Sequence, residues 1–325
     1  MSFNKILVIQ TAFIGDAILA TALLEQLHKA YPNTKLYFLV RKGNETLFVN
    51  HPFLTEILVW DKQKNKIKNL FKLLLNIRKH KFDIVINCHR FASSGVLAGF
   101  SKSKHIAGFK ENPFSFLFNY TQKHNVTEGK HEIERNASLI NDFCNEPIKN
   151  PALYPSQNDY NTVKLYNTEN YYCIAPSSVW FTKQVPVNKW VELINKLESN
   201  STVYLLGAPN DFNLCETIKS NTKHISITNL AGKLTLLQST ALMQNAKMNY
   251  VNDSAPLHLC SAINANVTAF FLSTSPLFGF TPLSKNSKVI EVKNLNCKPC
   301  GLHGFKACPQ QHFKCGNELN MDSVS

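Results

Sequence analysis

The sequence predicts an α/β protein made of two doubly wound domains in tandem, each a parallel sheet covered by helices on both faces. Three observations predict it. Short apolar β-type runs alternate with helical runs along most of the chain, the pattern of strands buried between helical layers. The alternation breaks once, over a stretch rich in Asn, Pro, Ser and Tyr at 150–170, and then restarts. The length, 325 residues, suits two domains. Residues 1–160 are therefore assigned to a first domain and 161–325 to a second.

The elements follow in order. A strand is predicted over 5–10, then a helix over 17–30 with Ile18, Leu19, Leu23, Leu24 and Leu27 as its apolar set. Strands follow over 35–40 and 56–60, then a basic helix, then a strand over 84–87. The segment 150–170 reads as the interdomain linker. The second half predicts strands over 171–175, 202–206, 249–252 and 267–272. Helices are predicted over 187–197, from Asp211, over 235–244 and over 256–263. Ligands of doubly wound folds sit at the carboxyl ends of strands, so the cleft between two such domains is the expected site.

Composition narrows the function. Hydrophobic residues make up 44% and charged residues 18%, which excludes a mostly disordered chain. No apolar run reaches the roughly 18 residues of a membrane helix. The start, Met1-Ser2-Phe3-Asn4-Lys5, lacks the features of a signal peptide, so a cytoplasmic protein is expected. Lys and Arg number 35 against 22 Asp and Glu, a net charge of +13, and both halves are basic. Acidic partners are expected: a nucleotide, a phosphorylated glycan or anionic lipid. Between Lys62 and Lys81 there are eight basic residues and no acid. Ile67, Leu70, Phe71, Leu74 and Ile77 fall at helical spacing there, giving one apolar face with a cationic rim. This helix reads either as a docked surface helix with a solvated basic side or as a face for an anionic membrane surface. Nucleic acid is not expected, because no stacking motif or zinc-finger spacing accompanies the charge.

Of nine cysteines, Cys88, Cys144, Cys173, Cys215 and Cys260 lie among apolar residues and read as reduced core thiols. The others cluster as Cys297-x2-Cys300-x7-Cys308-x6-Cys315. They read as reduced structural cysteines, a structural zinc site, or a disulfide or redox pair; the spacing of the second pair is too wide for a standard zinc ribbon.

Four loops at predicted strand ends carry chemistry. Thr11-Ala12-Phe13-Ile14-Gly15-Asp16 follows the first strand; Gly15 permits a tight turn, and Asp16 serves either as a helix N-cap or as a general base. This loop is not a dinucleotide fingerprint. The run from Pro176 to Lys183 offers the hydroxyls of Ser177, Ser178 and Thr182, backbone N–H groups and the Lys183 ammonium: a phosphate cradle or an ordinary loop. In Asn252-Asp253-Ser254-Ala255-Pro256-Leu257-His258, the N–H groups of Ser254 and Ala255 at a helix start form an anion site. Asp253 is suited to sugar hydroxyls, and His258 reads as a buried, hydrogen-bonded histidine. Asp211, in Gly207-Ala208-Pro209-Asn210-Asp211, stands where an acid holds ribose hydroxyls.

Taken together these runs resemble glycosyltransferase family nine, the lipopolysaccharide heptosyltransferases. The matching segments are Ile14-Gly15-Asp16-Ala17, Ala175-Pro176-Ser177-Ser178 with Thr182-Lys183, Leu206-Gly207-Ala208, the run from Leu230 through Gly232 to Leu236, Asn252 to His258, and the cysteine tail. The resemblance spans about residues 5–316. It implies a GT-B fold, two Rossmann-like domains facing across a cleft, with acceptor on the first and nucleotide sugar on the second. It implies inverting transfer of a heptose or related sugar from an ADP-sugar to a lipopolysaccharide inner-core glycolipid, peripheral on the inner face of the cytoplasmic membrane. It implies Asp16 as base, Lys183 as the phosphate-binding lysine, Asp253 and Ser254 as donor loop, and Asp211 as the ribose acid. The chain departs from the family pattern at Pro176-Ser177-Ser178, Lys183-Gln184-Val185-Pro186 and Ala255-Pro256, which leaves the reaction type intact and the donor sugar open. With Lys183 and a helix dipole to stabilise the leaving diphosphate, no cofactor or metal is required, and no Asp-x-Asp motif is present. The alternatives are a same-fold nucleotide-sugar epimerase or hydrolase, and a non-catalytic glycolipid- or nucleotide-binding protein.

Overall fold

The computed structural model describes residues 2–324. The chain forms two compact units, Met1–Tyr154 and Pro155–Ser325.

The first unit contains β1 (Lys5–Gln10), α1 (Ile14–Ala30), β2 (Lys35–Arg41), β3 (Leu54–Trp60), α2 (Lys66–His80), β4 (Ile84–Asn87), α3 (Ala92–Gly99), β5 (His105–Phe109), β6 (Tyr120–Gln122) and α4 (Glu132–Ser138). Its six strands are parallel in the order β3-β2-β1-β4-β5-β6. β1 is the centre: Ile6, Leu7, Val8 and Ile9 are fully buried, because both faces of an interior parallel strand are covered. α1 is buried around most of its circumference, since it packs against α4 as well as the sheet. It ends at Tyr31, whose N–H bonds Leu27 O, with Pro32 next to stop propagation.

The second unit contains α5 (Gln157–Val163), β7 (Tyr171–Ala175), α6 (Val187–Lys196), β8 (Thr202–Leu205), α7 (Phe212–Asn221), β9 (Ile227–Asn229), α8 (Leu236–Gln244), β10 (Met248–Asn252), α9 (Ala255–Ala262), β11 (Val267–Phe270), β12 (Ser287–Ile290) and α10 (Lys314–Asn317). The strand order is β12-β11-β10-β7-β8-β9, again all parallel. Trp190 of α6 is fully buried edge-on against Phe270 of β11, 5.3 Å between ring centres. Truncating such a residue to Ala costs about 3–5 kcal/mol.

In each sheet the strand order reverses once, between β1 and β4 in the first and between β7 and β10 in the second. A crevice opens at the carboxyl ends of the two strands flanking such a reversal, and ligands bind there.

Two sequence expectations are corrected. The 150–170 segment is not a plain linker: it holds α5 and a 3-10 turn, Lys164–Tyr166. Its polar composition conceals a capping box, in which the Ser156 hydroxyl accepts the Asp159 N–H and the Asp159 carboxylate accepts the Ser156 N–H. Val163 is fully buried and α5 packs on α8. The buried face of α2 also differs from the predicted one. Leu73, Leu74 and Ile77 are buried, with Leu70 partly so, while Ile67 and Phe71 are exposed. Helical spacing gave the apolar set, but the sheet is reached by the line through Leu70, Leu73, Leu74 and Ile77, about a quarter turn away from the Ile67–Phe71 line.

Candidate functional site

In the first unit the loop after β1 and the loop after β4 stand at the switch point. α1 begins at Ile14, earlier than the sequence suggests, with Phe13 at its N-cap and no side-chain cap. Asp16 is therefore not an N-cap: it lies in the first helical turn, with Gly15 just before it. Its carboxyl is half-buried and pushed up from the ordinary 3.8 to about 6. Loss of hydration is the main cause and the Glu132 carboxylate of α4 the second; backbone N–H groups of Phe13 and Asp16 and the Arg90 guanidinium pull the other way.

Three groups around this loop were not singled out from the sequence. Lys62 donates to Thr11 O at 2.6 Å and lies over the Trp60 ring, 4.6 Å from its centre. Desolvation, with help from Arg41 and Lys66, lowers it to about 8. His89, following β4, lies 3.0 Å through Nδ1 from the Thr11 hydroxyl. Burial, with Lys62 and Arg90 nearby, pushes it down to about 4, so it is neutral at pH 7. Arg41, at the end of β2, covers the exposed Phe13 ring at 5.4 Å. The signal for His89 and Arg90 was their place just past a strand end beside β1, which needs the strand order to be recognised.

Behind Asp16 lies a buried ionic network. Glu132 accepts from Arg135 Nε at 2.8 Å and meets His124 Nε2 at 3.0 Å, all three side chains being almost completely buried. His124 and Arg135 hold the Glu132 carboxyl below its usual range against the cost of burial.

In the second unit the loops after β7 and β10 meet at the switch point, and Asn252 joins them. Its Oδ1 accepts the Val185 N–H at 3.0 Å, and its Nδ2 donates to Pro176 O at 2.7 Å and Ser177 O at 3.3 Å. Lys183 Nζ pairs with Asp253 Oδ2 at 2.7 Å, and the same oxygen accepts the Thr274 hydroxyl at 2.6 Å. As placed, Asp253 anchors the lysine rather than standing open to a sugar. Ser177 and Ser178 are half-buried on the same loop, and Gln184 Nε2 braces it through Ser178 O at 2.6 Å. α9 starts at Ala255 with no side-chain cap. The Ser254 hydroxyl reaches Ser177 O and Asn252 O only at 3.5 Å. This helix end, Lys183 and the two serines stand on the loops of one switch point, and donors of these kinds suit a diphosphate.

Thr182 is a correction. It is 1% exposed, and its hydroxyl accepts the Phe305 N–H at 2.8 Å and lies 3.0 Å from the Ser273 hydroxyl. Its backbone N–H also donates to Phe305 O. Thr182 holds the cysteine-rich tail to the Lys183 loop, and as placed its hydroxyl is buried against Phe305 and Ser273 rather than open to a phosphate. Gly304 allows the approach: a Cβ there would lie 2.4 Å from Trp180 Cβ and 2.9 Å from Lys183 Cγ.

Asp211 is half-buried in a 3-10 turn after β8, where its Oδ2 accepts the Ala208 N–H at 2.7 Å. Gly232, at φ +76°, donates its N–H to Gly207 O at 2.9 Å, and a Cβ there would lie 2.9 Å from Pro209 Cα. It closes this turn from the side. His258 is buried in α9 with its ring edge-on to Phe280.

The four tail cysteines are free thiols; Cys315 is buried and the others half-buried. Cys300 Sγ contacts Cys297 O at 3.2 Å. Burial, reinforced by the neighbouring thiols, raises Cys315 to about 11. Among the described residues no group of three or more His, Cys, Asp or Glu side chains is arranged to hold a metal ion, so the structural-zinc alternative gains no support. Among the same residues no helix is long and apolar enough to cross a membrane.

Two parallel six-stranded doubly wound units, each with polar loops at its switch point, are the GT-B glycosyltransferase architecture. The chain belongs to glycosyltransferase family 9 (heptosyltransferase), whose model matches residues 70–307. It is 24% identical to lipooligosaccharide heptosyltransferase 2 of Campylobacter jejuni, over 98% of this chain and 96% of that one. The fold is similar to a family 9 glycosyltransferase from Veillonella parvula, with a TM-score of 0.87, 17% identity, and coverage of 100% and 96% of the two chains. It is also similar to ADP-heptose lps heptosyltransferase II of Escherichia coli, with a TM-score of 0.75, 21% identity, and coverage of 99% and 100%. The protein is thus a glycosyltransferase.

Proposed function

We propose that this glycosyltransferase moves a heptose, or a closely related sugar, from an ADP-sugar to the inner core of a lipopolysaccharide, with inversion at the anomeric carbon. The first unit takes the acceptor and the second the donor. The family, and the names of the relatives, support the donor and acceptor class.

Asp16 carries the mechanism. A sugar hydroxyl is a poor nucleophile at neutral pH, and a base that removes its proton during attack contributes roughly 10²–10⁴-fold. A carboxyl near 6 is ionised at pH 7.5 yet is a stronger proton acceptor than an ordinary aspartate. As the acceptor oxygen bonds to C1, the bond from C1 to the diphosphate breaks and ADP leaves with the electron pair. Lys183, held by Asp253, and the N-terminus of α9 neutralise that charge, with Ser177 and Ser178 as further donors. Asp211 and Gly232 shape the turn assigned to the ribose. Lys62, Arg41 and Arg90 around Asp16 suit an anionic acceptor. The reaction as drawn uses no cofactor, and it places the protein in the cytoplasm, where nucleotide sugars are.

The test is transfer to a truncated core acceptor by the wild type and Asp16→Asn. The variant should lose transfer by at least about 10²-fold while binding ADP as the wild type does. Normal turnover by Asp16→Asn removes it from the mechanism. A calorimetric panel of ADP, UDP and GDP checks the donor class, and preference for UDP or GDP overturns it.

A further inference from the structure

α2 carries more large apolar side chains than its own unit buries. Leu70, Leu73, Leu74 and Ile77 face the sheet. Ile67, Phe71 and Leu75 follow one another at four-residue spacing, so they form a second line along the helix. They are 71, 58 and 57% exposed. Lys68, Lys72 and Lys79 run along the next line round, all exposed and none in an ion pair among the described residues. Near the end of the apolar line Arg78 Nε donates to Phe100 O at 2.8 Å, drawing in the loop after α3. Exposed Phe100 there packs edge-on with Phe114, which meets Phe116, itself 78% exposed. The apolar line thus continues into an aromatic cluster, and a row of lysines borders it.

We propose that this face docks on an anionic lipid bilayer, with Ile67, Phe71 and Leu75 entering the boundary between headgroups and acyl chains and Lys68, Lys72 and Lys79 meeting lipid phosphates. The charge decides the occupant. A second copy would set two basic faces against each other, which like-charge repulsion disfavours. Nucleic acid would satisfy the lysines and leave Ile67 and Leu75 in water. A bilayer with anionic headgroups satisfies both lines at once. The inference extends the reading of the acceptor as a glycolipid, and it is tested apart from turnover.

The experiment is co-sedimentation of the full chain with phosphatidylcholine vesicles, with and without phosphatidylglycerol, at low and high salt. Binding should require phosphatidylglycerol and weaken with salt. Lys68→Glu/Lys72→Glu/Lys79→Glu should lower the apparent affinity by about tenfold or more. Phe71→Ser/Leu75→Ser should do so as well, including at low salt. These positions are exposed, so folding is not at stake, and both variants should transfer sugar to a soluble truncated acceptor as the wild type does. Equal binding to neutral vesicles, no binding, or unchanged binding by either variant overturns the proposal. So does a dimer in light scattering that Phe71→Ser/Leu75→Ser dissolves. Vesicle binding without turnover on any acceptor instead refutes the enzymatic reading and leaves the docking surface standing.

Discussion

Asp16→Asn should make the protein more stable while it abolishes transfer. The carboxyl stands at about 6 in the folded chain against 3.8 as its ordinary value. The folded state therefore holds the proton more tightly, and stability falls as pH rises from about 4 to about 6, then levels off. Two units of pKa correspond to about 3 kcal/mol; because Asp16 keeps some contact with water, solvent screening brings the expected gain to about 1–3 kcal/mol at pH 8. Asparagine keeps the shape and removes the charge that burial and Glu132 disfavour. The assay is urea denaturation of both proteins at pH 8 and pH 4.5, followed by far-UV circular dichroism. At pH 4.5 the linkage relation leaves only about a third of the gain, since the wild-type carboxyl is already protonated in the folded state. A gain of equal size at both pH values, or none at pH 8, refutes the account of Asp16 as a carboxylate held against its electrostatic preference.

The same picture predicts an acid limb in kcat/KM near pH 6, and Glu132→Gln should move that limb to lower pH by removing the neighbouring negative charge; an unmoved limb in a folded variant rules Glu132 out as a tuning group. Lys183→Ala should weaken ADP binding by about tenfold or more, measured by calorimetry; unchanged affinity removes Lys183 from the donor site. Thr182→Val should cost about 1–3 kcal/mol by leaving the Phe305 N–H unpaired, read in the same denaturation assay; a neutral effect means the tail is held by other contacts.

How much could be read from the sequence depended on how local each signal was. β1 matches its predicted bounds because the apolar run Ile6-Leu7-Val8-Ile9 encodes a buried strand with no outside help. The periodicity of α2 revealed a helix, but which of its two apolar lines meets the sheet depends on where β3 and α3 lie. β6 and β9 are three residues each and give no period to detect. α5 was hidden because a Ser-x-x-Asp capping box looks like loop composition. At the site, Asp16, Lys183 and Asp253 were legible as polar residues just past strand ends. Their partners were not: Glu132 reaches Asp16 from α4, Asn252 ties two loops, and Thr182 meets Phe305 across 123 positions of sequence. Such pairings exist only once the sheet has been ordered.

The Thr182–Phe305 clasp gives the second unit a timetable. A chain emerging from the ribosome can lay down β7 and expose Lys183 long before Phe305 has been made. Until that latecomer arrives, Thr182 lacks its two backbone partners and the lysine's loop rests on Asn252, Gln184, Asp253 and Ser273. Grip on the nucleotide sugar should then be acquired only after the sheet itself has matured. Gly304→Ala, whose Cβ would fall 2.4 Å from Trp180 Cβ, should push the clasp apart and return the loop to that immature condition, with strands intact and donor affinity reduced.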